Sequence, residues 1–167
     1  MKLLILILSS LSLNLLSDSV LERFNIIIKN DLTFNHKSLD FNNEVLESVG
    51  SLIHDGEVIL INIDSPYKER YQISHKTIDI YDFDFNQSRS IPLNELDSAI
   101  LDYLINGILD EELISKKTAN TISIKDNQNE IHIELKNSNN FFIKYKDNLG
   151  ITNLVDFKVR NTIWIYF

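Results

Sequence analysis

The chain contains no cysteine, and this absence excludes several kinds of chemistry. Disulfide scaffolds, thiolate metal sites, thiol nucleophiles and lipid attachment through a cysteine all require that residue. Glycine is also scarce, and the four glycines form no phosphate-binding loop of the nucleotide type. The formal charge of −8 provides no basic footprint, so nucleic acid is not an expected partner. With 167 residues, the chain is long enough for one domain with a sizeable core.

Residues that could carry catalysis or bind metal are scattered. The segment from Asp82 to Asn86 imitates the start of a calcium loop, but Gln87 and Leu93 replace the glycine and the acidic residue that the motif requires. A solvated turn is therefore predicted there. The histidines lack the spacing of metal-binding motifs, and no serine has a nucleophile-elbow context; the histidines are His36, His54, His75 and His132. We expect no enzymatic activity, no metal and no cofactor.

The N-terminal segment is typical of a signal peptide. Lys2 precedes an apolar stretch from Leu3 to Leu16, which is too short to span a bilayer comfortably. We therefore expect residues 1–17 to direct export and to be removed, and residues 18–167 to form a single domain. A buried N-terminal helix and a membrane anchor are the alternatives.

The body of the chain predicts one helix followed by strands. Ser19 and Glu22 form a capping box, and apolar residues at helical spacing follow, so a helix is predicted over 18–29. From Asn43 onward the apolar residues recur at every second position, as in strands. Asp55-Gly56 is a plausible tight turn between the first two strands.

Residues 92–114 interrupt the strand pattern and predict a helical insert. Pro92 suits a helix start, and apolar residues recur through Ile108. An antiparallel meander is predicted after the insert, with strands at Thr121–Lys125, Glu130–Lys136, Phe141–Lys146, Ile151–Lys158 and Thr162–Phe167. About ten short strands and two helical segments indicate an α+β fold, a curved antiparallel sheet with helices over its apolar face.

Three stretches resemble the periplasmic lipoprotein carrier family, LolA. Val45 to Leu52 is similar to the V-L-Q-x-x-G-x-L entry into the family's first strands, and Phe34-Asn35-His36 stands where the family has F-x-Q at the end of its first helix. Pro66 is followed, at the family's spacing, by Ile80-Tyr81-Asp82 and then Gln87. A helical insert and a closing meander complete the resemblance, which extends from about residue 18 to the end.

The resemblance implies an incomplete antiparallel β-barrel whose concave apolar face is roofed by helices. It also implies a soluble, monomeric periplasmic chaperone that binds the acyl chains of lipoproteins. Such a carrier accepts its cargo from an inner-membrane lipoprotein-releasing ABC transporter. It delivers the cargo at the outer membrane, where a lipoprotein receptor is a further implied partner. The lack of an N-terminal cysteine separates the chain from the lipid-anchored receptor of the same fold.

On this architecture, strand alternation assigns one set of side chains to the lipid-binding cavity. They are Ile59, Ile61, Tyr71, Ile73, Ile78, Ile80, Ile124 and Ile133. Leu101 and Leu104 on the insert are the expected roof contacts. An apolar stripe at strand spacing is also typical of a packed core, so core packing stays open at each position.

The chain departs from the family in three respects. The arginine that holds the family's roof shut is missing eleven residues before Pro66, where Asp55 stands and His54 is the nearest basic residue. The insert lacks the usual proline of the second helix, and the chain stops at Phe167 without the family's last segment. A narrower sheet is therefore expected. A hydrophobe-binding or sensing module without carrier activity, and a small secreted enzyme or adhesion domain, are the other classes left open.

Overall fold

The computed structural model describes residues 19–39, 42, 44–93, 105, 107–109, 111–126, 129–147 and 149–160. Within them, one α-helix, α1 (Val20–Ile27), precedes eleven strands, and a short 3₁₀ turn lies at Glu111–Leu113. The strands are β1 (Leu32–Leu39), β2 (Val45–Asp55), β3 (Val58–Ser65), β4 (Glu69–Ile73), β5 (Thr77–Asp82), β6 (Gln87–Pro92), β7 (Ile114–Lys117), β8 (Thr121–Asp126), β9 (Asn129–Leu135), β10 (Asn140–Lys146) and β11 (Thr152–Val159).

All eleven strands form one open antiparallel sheet. Its order is β6-β5-β4-β3-β2-β1-β11-β10-β9-β8-β7, so β6 and β7 are the two edges and do not pair with each other. Every neighbouring pair is consecutive in the chain except β1 and β11, which join the two halves of the sheet. The predicted curved antiparallel sheet is therefore present, with eleven strands in place of about ten.

Helix α1 forms where the capping box predicted it. The Ser19 hydroxyl accepts a hydrogen bond from the Glu22 amide, and the Glu22 carboxylate accepts one from the Ser19 amide. Such reciprocal bonds satisfy amides at a helix N-terminus that have no partner within the helix. The helix buries Val20, Phe24 and Ile27 against the sheet. None of the described helices is long and apolar enough to cross a membrane.

Strand β1 corrects the placement of Phe34-Asn35-His36 at the end of the first helix. These residues lie in the middle of β1, which pairs with β2 on one side and β11 on the other. Leu32 and Phe34 are buried while Thr33 and Asn35 are exposed, which is the alternation of a strand. These residues form a strand because they pair with a strand on each side and alternate between buried and exposed positions, although the segment before them is helical.

Pro92 is the last residue of β6, and Leu93 directly after it has 3₁₀ conformation, so the change from strand to helical structure falls one residue later than predicted. β6 is an edge strand, where a residue without an amide hydrogen is tolerated. The insert ends within one residue of its predicted bound, since the 3₁₀ turn at Glu111–Leu113 belongs to it and β7 begins at Ile114. Residues 94–104 of the insert, and the strand predicted at Thr162–Phe167, lie outside the described residues.

A bulge in β2 depends on Gly50. The pairing between β2 and β3 shifts register between Val49 and Gly50, and the β3 backbone passes very close to the glycine. A Cβ on Gly50 would lie 2.0 Å from the carbonyl oxygen of Asn62 and 2.7 Å from the ring of Phe34. No side chain fits there without moving the strand.

We expect Gly50→Ala to lower the free energy of unfolding by about 1–3 kcal/mol, the usual cost of overpacking. Urea unfolding measures the loss. Val49→Ala is the matched control, because Val49 is the exposed neighbour and should change stability by less than about 0.5 kcal/mol. Equal stability of the two variants would contradict the close approach.

Candidate functional site

One face of the sheet is almost continuously apolar, and we call it the apolar face. On β3–β5, cross-strand pairs join Ile59 to Ile73, Ile61 to Tyr71 and Ile73 to Ile78. The opposite half contributes a second group of apolar side chains, which comprises Ile122, Ile124, Ile131, Ile133, Phe141, Ile143, Val155 and Phe157. Both groups belong to one hydrophobic cluster.

The register places all eight predicted cavity residues on this face. Six of them are buried, namely Ile59, Ile73, Ile78, Ile80, Ile124 and Ile133. Ile61 and Tyr71 are half-buried and pack against the same cluster. Contact with a lipid at these positions stays a prediction, since burial of this kind also occurs in a packed core.

Helix α1 covers only part of the apolar face. Phe24 meets Phe141 edge to face with ring centroids 5.3 Å apart, and the helix also packs against β8. Eight helical residues extend about 12 Å, at 1.5 Å per residue. Eleven strands spaced by about 4.8 Å extend roughly 48 Å around the sheet. The half formed by β3–β6 therefore needs a different cover.

The insert between β6 and β7 approaches the apolar face at the positions that the structure describes. Leu109 is buried, and Leu93 and Ile105 pack against the hydrophobic cluster. Asn25 of α1 binds the insert at two points: its Oδ1 accepts from the Leu109 amide at 2.9 Å, and its Nδ2 donates to the Leu109 carbonyl at 3.5 Å. The expected roof residues Leu101 and Leu104 lie outside the described residues.

His54 ties β2 to the C-terminal end of α1. The His54 Nε2 lies 3.0 Å from the carbonyl oxygen of Ile28, and the His54 amide donates to Asp31 Oδ1 at 3.0 Å. Carbonyls in the last turn of a helix have no partner within the helix, so this side chain satisfies one of them. The sequence showed His54 only as the nearest basic residue, because its partner was not identifiable from spacing.

A polar network interrupts the apolar face where β1, β2 and β11 meet. His36 Nε2 lies 2.8 Å from Asn153 Oδ1, and His36 Nδ1 lies 3.3 Å from the Ser48 hydroxyl. Nearby, burial raises the pKa of the Tyr145 hydroxyl, and the Asp147 carboxylate adds to the effect. Hydrogen bonding of this kind lets polar groups be buried in a largely apolar face at low cost.

A second polar pair lies on β4. The Tyr71 hydroxyl donates to the Glu69 carboxylate at 2.6 Å. Burial is the largest cause, and together with the hydrogen bond to Glu69 and the charge of Glu69 it raises the pKa of Tyr71 to about 12. Tyr71 therefore presents a neutral hydroxyl beside Ile61 and Ile80 at any physiological pH.

The raised pKa of Tyr71 predicts a loss of stability at alkaline pH. The folded protein holds the phenol proton up to about pH 12, whereas an unfolded tyrosine releases it near pH 10. The unfolded state thus binds fewer protons in this window, and stability falls as the pH rises from about 10 to 12. We expect Tyr71→Phe to reduce this fall, measured by urea unfolding at pH 9 and 11. Identical pH dependence in both proteins would contradict the assignment.

The chemistry of this face is that of a binding surface for apolar groups. Its side chains are aliphatic and aromatic, interrupted by a few hydrogen-bonded polar groups such as those around His36. In the part of the chain that the structure describes, no group of three histidine, aspartate or glutamate side chains is placed to hold a metal ion.

Comparison with known proteins gives similarity of structure only. No family model matches the sequence, and no curated protein matches it. A LolA superfamily protein from Nitrosomonas europaea is similar in structure, at 9% sequence identity and a TM-score of 0.46, over 85% of this chain and 92% of that one. An uncharacterized conserved protein from Thermus thermophilus is similar at 10% identity and a TM-score of 0.42, over 85% of this chain and 86% of that one. At these values neither protein establishes what this chain binds.

Proposed function

We propose that this chain is a periplasmic carrier that binds the acyl chains of lipoproteins on its apolar face. The observation that carries the proposal is the extent of that face, which crosses the open sheet while α1 covers only one part of it. Such a surface suits a ligand with long hydrocarbon chains. Each CH₂ group removed from water contributes roughly 0.8 kcal/mol, so one sixteen-carbon chain contributes on the order of 12 kcal/mol.

A carrier must also release its ligand, which requires a cover that can move. We propose that the insert, which carries the expected roof residues Leu101 and Leu104, covers β3–β6. The contacts of Leu93, Ile105 and Leu109 with the core support this assignment, because they bring both parts of the insert that the structure describes to the apolar face. Two hydrogen bonds to Asn25 and the burial of Leu109 attach the insert to the rest of the domain, and the proposed opening has to break these contacts.

The remaining parts of the proposal come from the sequence. Residues 1–17 serve as the export signal, so the domain acts in the periplasm. As a carrier it binds its cargo without catalysing a covalent reaction. Its cargo is an acylated lipoprotein that an inner-membrane ABC transporter releases, and its destination is the outer membrane. The motifs around Val45–Leu52 and Pro66 support this role through their resemblance to the LolA family.

A release assay tests the proposal. The purified domain, residues 18–167, is incubated with inner-membrane vesicles that contain the transporter and a triacylated lipoprotein, with ATP present. We expect a soluble one-to-one complex of carrier and lipoprotein in the supernatant. The control omits ATP and should leave the lipoprotein in the vesicles.

Two outcomes separate carriage from simple binding. If a folded protein binds a triacylated lipopeptide but releases no lipoprotein, the chain is a hydrophobe-binding module and the carrier proposal is wrong. If it binds no acylated ligand at all, the assignment of the apolar face as a binding surface is also wrong.

A further inference from the structure

The face of the sheet opposite the apolar face carries a cleft, and we call this opposite face the outer face. The cleft has a volume of about 430 Å³ and lies over β2, β3 and β4. Ser51, Ile53, Asn62 and Arg70 alternate along their strands with residues of the apolar face, so they point to the outer side. The cleft is therefore separate from the surface proposed to bind acyl chains, and it needs its own explanation.

The floor of the cleft holds Arg70 in a fixed position. Arg70 Nε donates to Asn62 Oδ1 at 2.9 Å, and Asn62 Nδ2 in turn donates to the Ser51 hydroxyl at 3.3 Å. The guanidinium carbon lies 5.6 Å from the centroid of the Phe83 ring, as in a cation–π contact. Because Nε carries the internal hydrogen bond, the two terminal nitrogens of Arg70 remain for a ligand.

Two further cations line the same cleft, namely Lys68 and Arg160. Within the described residues, none of these three cations forms an ion pair. Glu69 also lines the cleft, but its carboxylate accepts the hydrogen bond from Tyr71 on the apolar face, so among the lining residues Asp64 is the one that presents a carboxylate to the outer side. The chain as a whole has 24 acidic and 16 basic residues, so a cleft with three cations and one carboxylate reverses the overall charge balance.

We infer that this cleft binds a phosphate group. A phosphate group has several oxygens and one to two negative charges, which match a preorganised guanidinium flanked by a second guanidinium and an ammonium group. The polar floor of Ser51 and Asn62 adds neutral hydrogen-bonding groups, and the Phe83 ring forms an apolar wall for whatever carries the phosphate. The group can belong to a soluble phosphate compound or to the headgroup of an anionic phospholipid. This inference does not depend on the proposed lipoprotein carriage.

Inorganic phosphate is the first probe. The ¹⁵N-labelled domain is titrated with it at low ionic strength, and the amide shifts of Ser51 and Asn62 report binding at the cleft. The test variant is the double substitution Lys68→Gln and Arg160→Gln, which leaves Arg70, Asn62 and Phe83 in place. The control with the same loss of charge is Lys116→Gln and Lys125→Gln, at exposed positions on β7 and β8.

We expect saturable shifts in the unmodified domain, at least a tenfold loss of phosphate affinity in the test variant, and less than a twofold change in the control. The spectra without phosphate verify that both variants fold. Shifts that do not saturate, or an equal loss in both variants, would overturn the inference.

Vesicles identify the source of the phosphate. The domain is mixed with vesicles of phosphatidylglycerol or of phosphatidylcholine and then separated by flotation. Retention on phosphatidylglycerol alone, reversed by free phosphate and lost in the test variant, assigns the site to a lipid headgroup. Saturable phosphate binding without retention assigns it to a soluble compound. Retention that persists in the test variant, together with undiminished phosphate binding, contradicts the site altogether.

Discussion

Ile61→Asp is expected to weaken the binding of an acylated lipopeptide at least tenfold, which corresponds to about 1.4 kcal/mol or more. Ile61 is half-buried on the apolar face, where its cross-strand neighbours are Leu52 and Tyr71. A carboxylate there would be removed from water by a bound acyl chain without gaining a partner, and that cost opposes binding. Displacement of a fluorescent fatty acid by a diacylated or triacylated lipopeptide measures the change.

Leu60→Asp provides the matched control. Leu60 is the adjacent residue of β3, has similar exposure and receives the same substitution, but it points to the outer face, opposite Ile53 and Gln72. We expect its affinity to stay within about twofold of the unmodified protein, since the two faces are separated by the backbone. Equal affinities of the two variants, both folded, would show that the apolar face does not hold the ligand.

Phe141→Ala is expected to lower the free energy of unfolding by about 3–5 kcal/mol, a large part of the stability of a typical domain. The Phe141 side chain is fully buried between α1 and the sheet. Its ring stacks on Phe157 with centroids 4.7 Å apart and an interplanar angle of 14°, and it meets Phe24 edge to face. Truncation therefore removes both aromatic contacts and leaves a cavity. Urea unfolding followed by circular dichroism measures the loss.

Phe142→Ala tests the same substitution one residue further along β10. The Phe142 side chain lies on the outer face, half-buried, with the Lys136 ammonium 5.4 Å from its ring centroid. A partly exposed cation–π contact contributes about 0.5–1 kcal/mol, and we expect a loss well below that of Phe141→Ala. A similar loss in both variants would contradict the orientation of β10.

The parts of the fold that local sequence determines could be predicted. The capping box at Ser19 and Glu22 identified α1, because it depends on residues three positions apart. The turn at Asp55-Gly56 is confirmed, with Gly56 at a φ of 62° where the β2–β3 hairpin reverses. The four strands from β8 to β11 fall within one residue of their predicted bounds, since isoleucine and phenylalanine alternate with polar residues there.

Strand β1 was missed because its alternation fades after Phe34. His36 and Ser38 take the positions where apolar residues would continue the pattern, and polar residues on both faces give no period. The structure shows why they are tolerated: His36 bonds to Asn153 on β11 and to Ser48 on β2. A hydrogen bond between residues 117 positions apart leaves no signal in a single sequence.

The apolar face and the outer cleft also differ in how far the sequence alone could predict them. Strand alternation was enough to assign Ile59, Ile61 and their neighbours to one face, because the assignment needs only the parity of each position. The outer cleft could not be assigned, since Arg160 reaches Lys68 and Arg70 only through the pairing of strands that are distant in sequence. No spacing motif links a residue of β4 to one that follows β11.

The junction between β1 and β11 has a consequence for how the chain folds. Each half of the sheet is a meander of hairpins with short sequence separation, whereas Leu32 and Val159 are brought together across most of the chain. Contacts at high separation in sequence carry a larger loop-closure entropy cost than hairpins do, and they slow folding. The two meanders can therefore acquire structure early, each from local contacts, and the docking of β11 on β1 becomes the step that limits the rate.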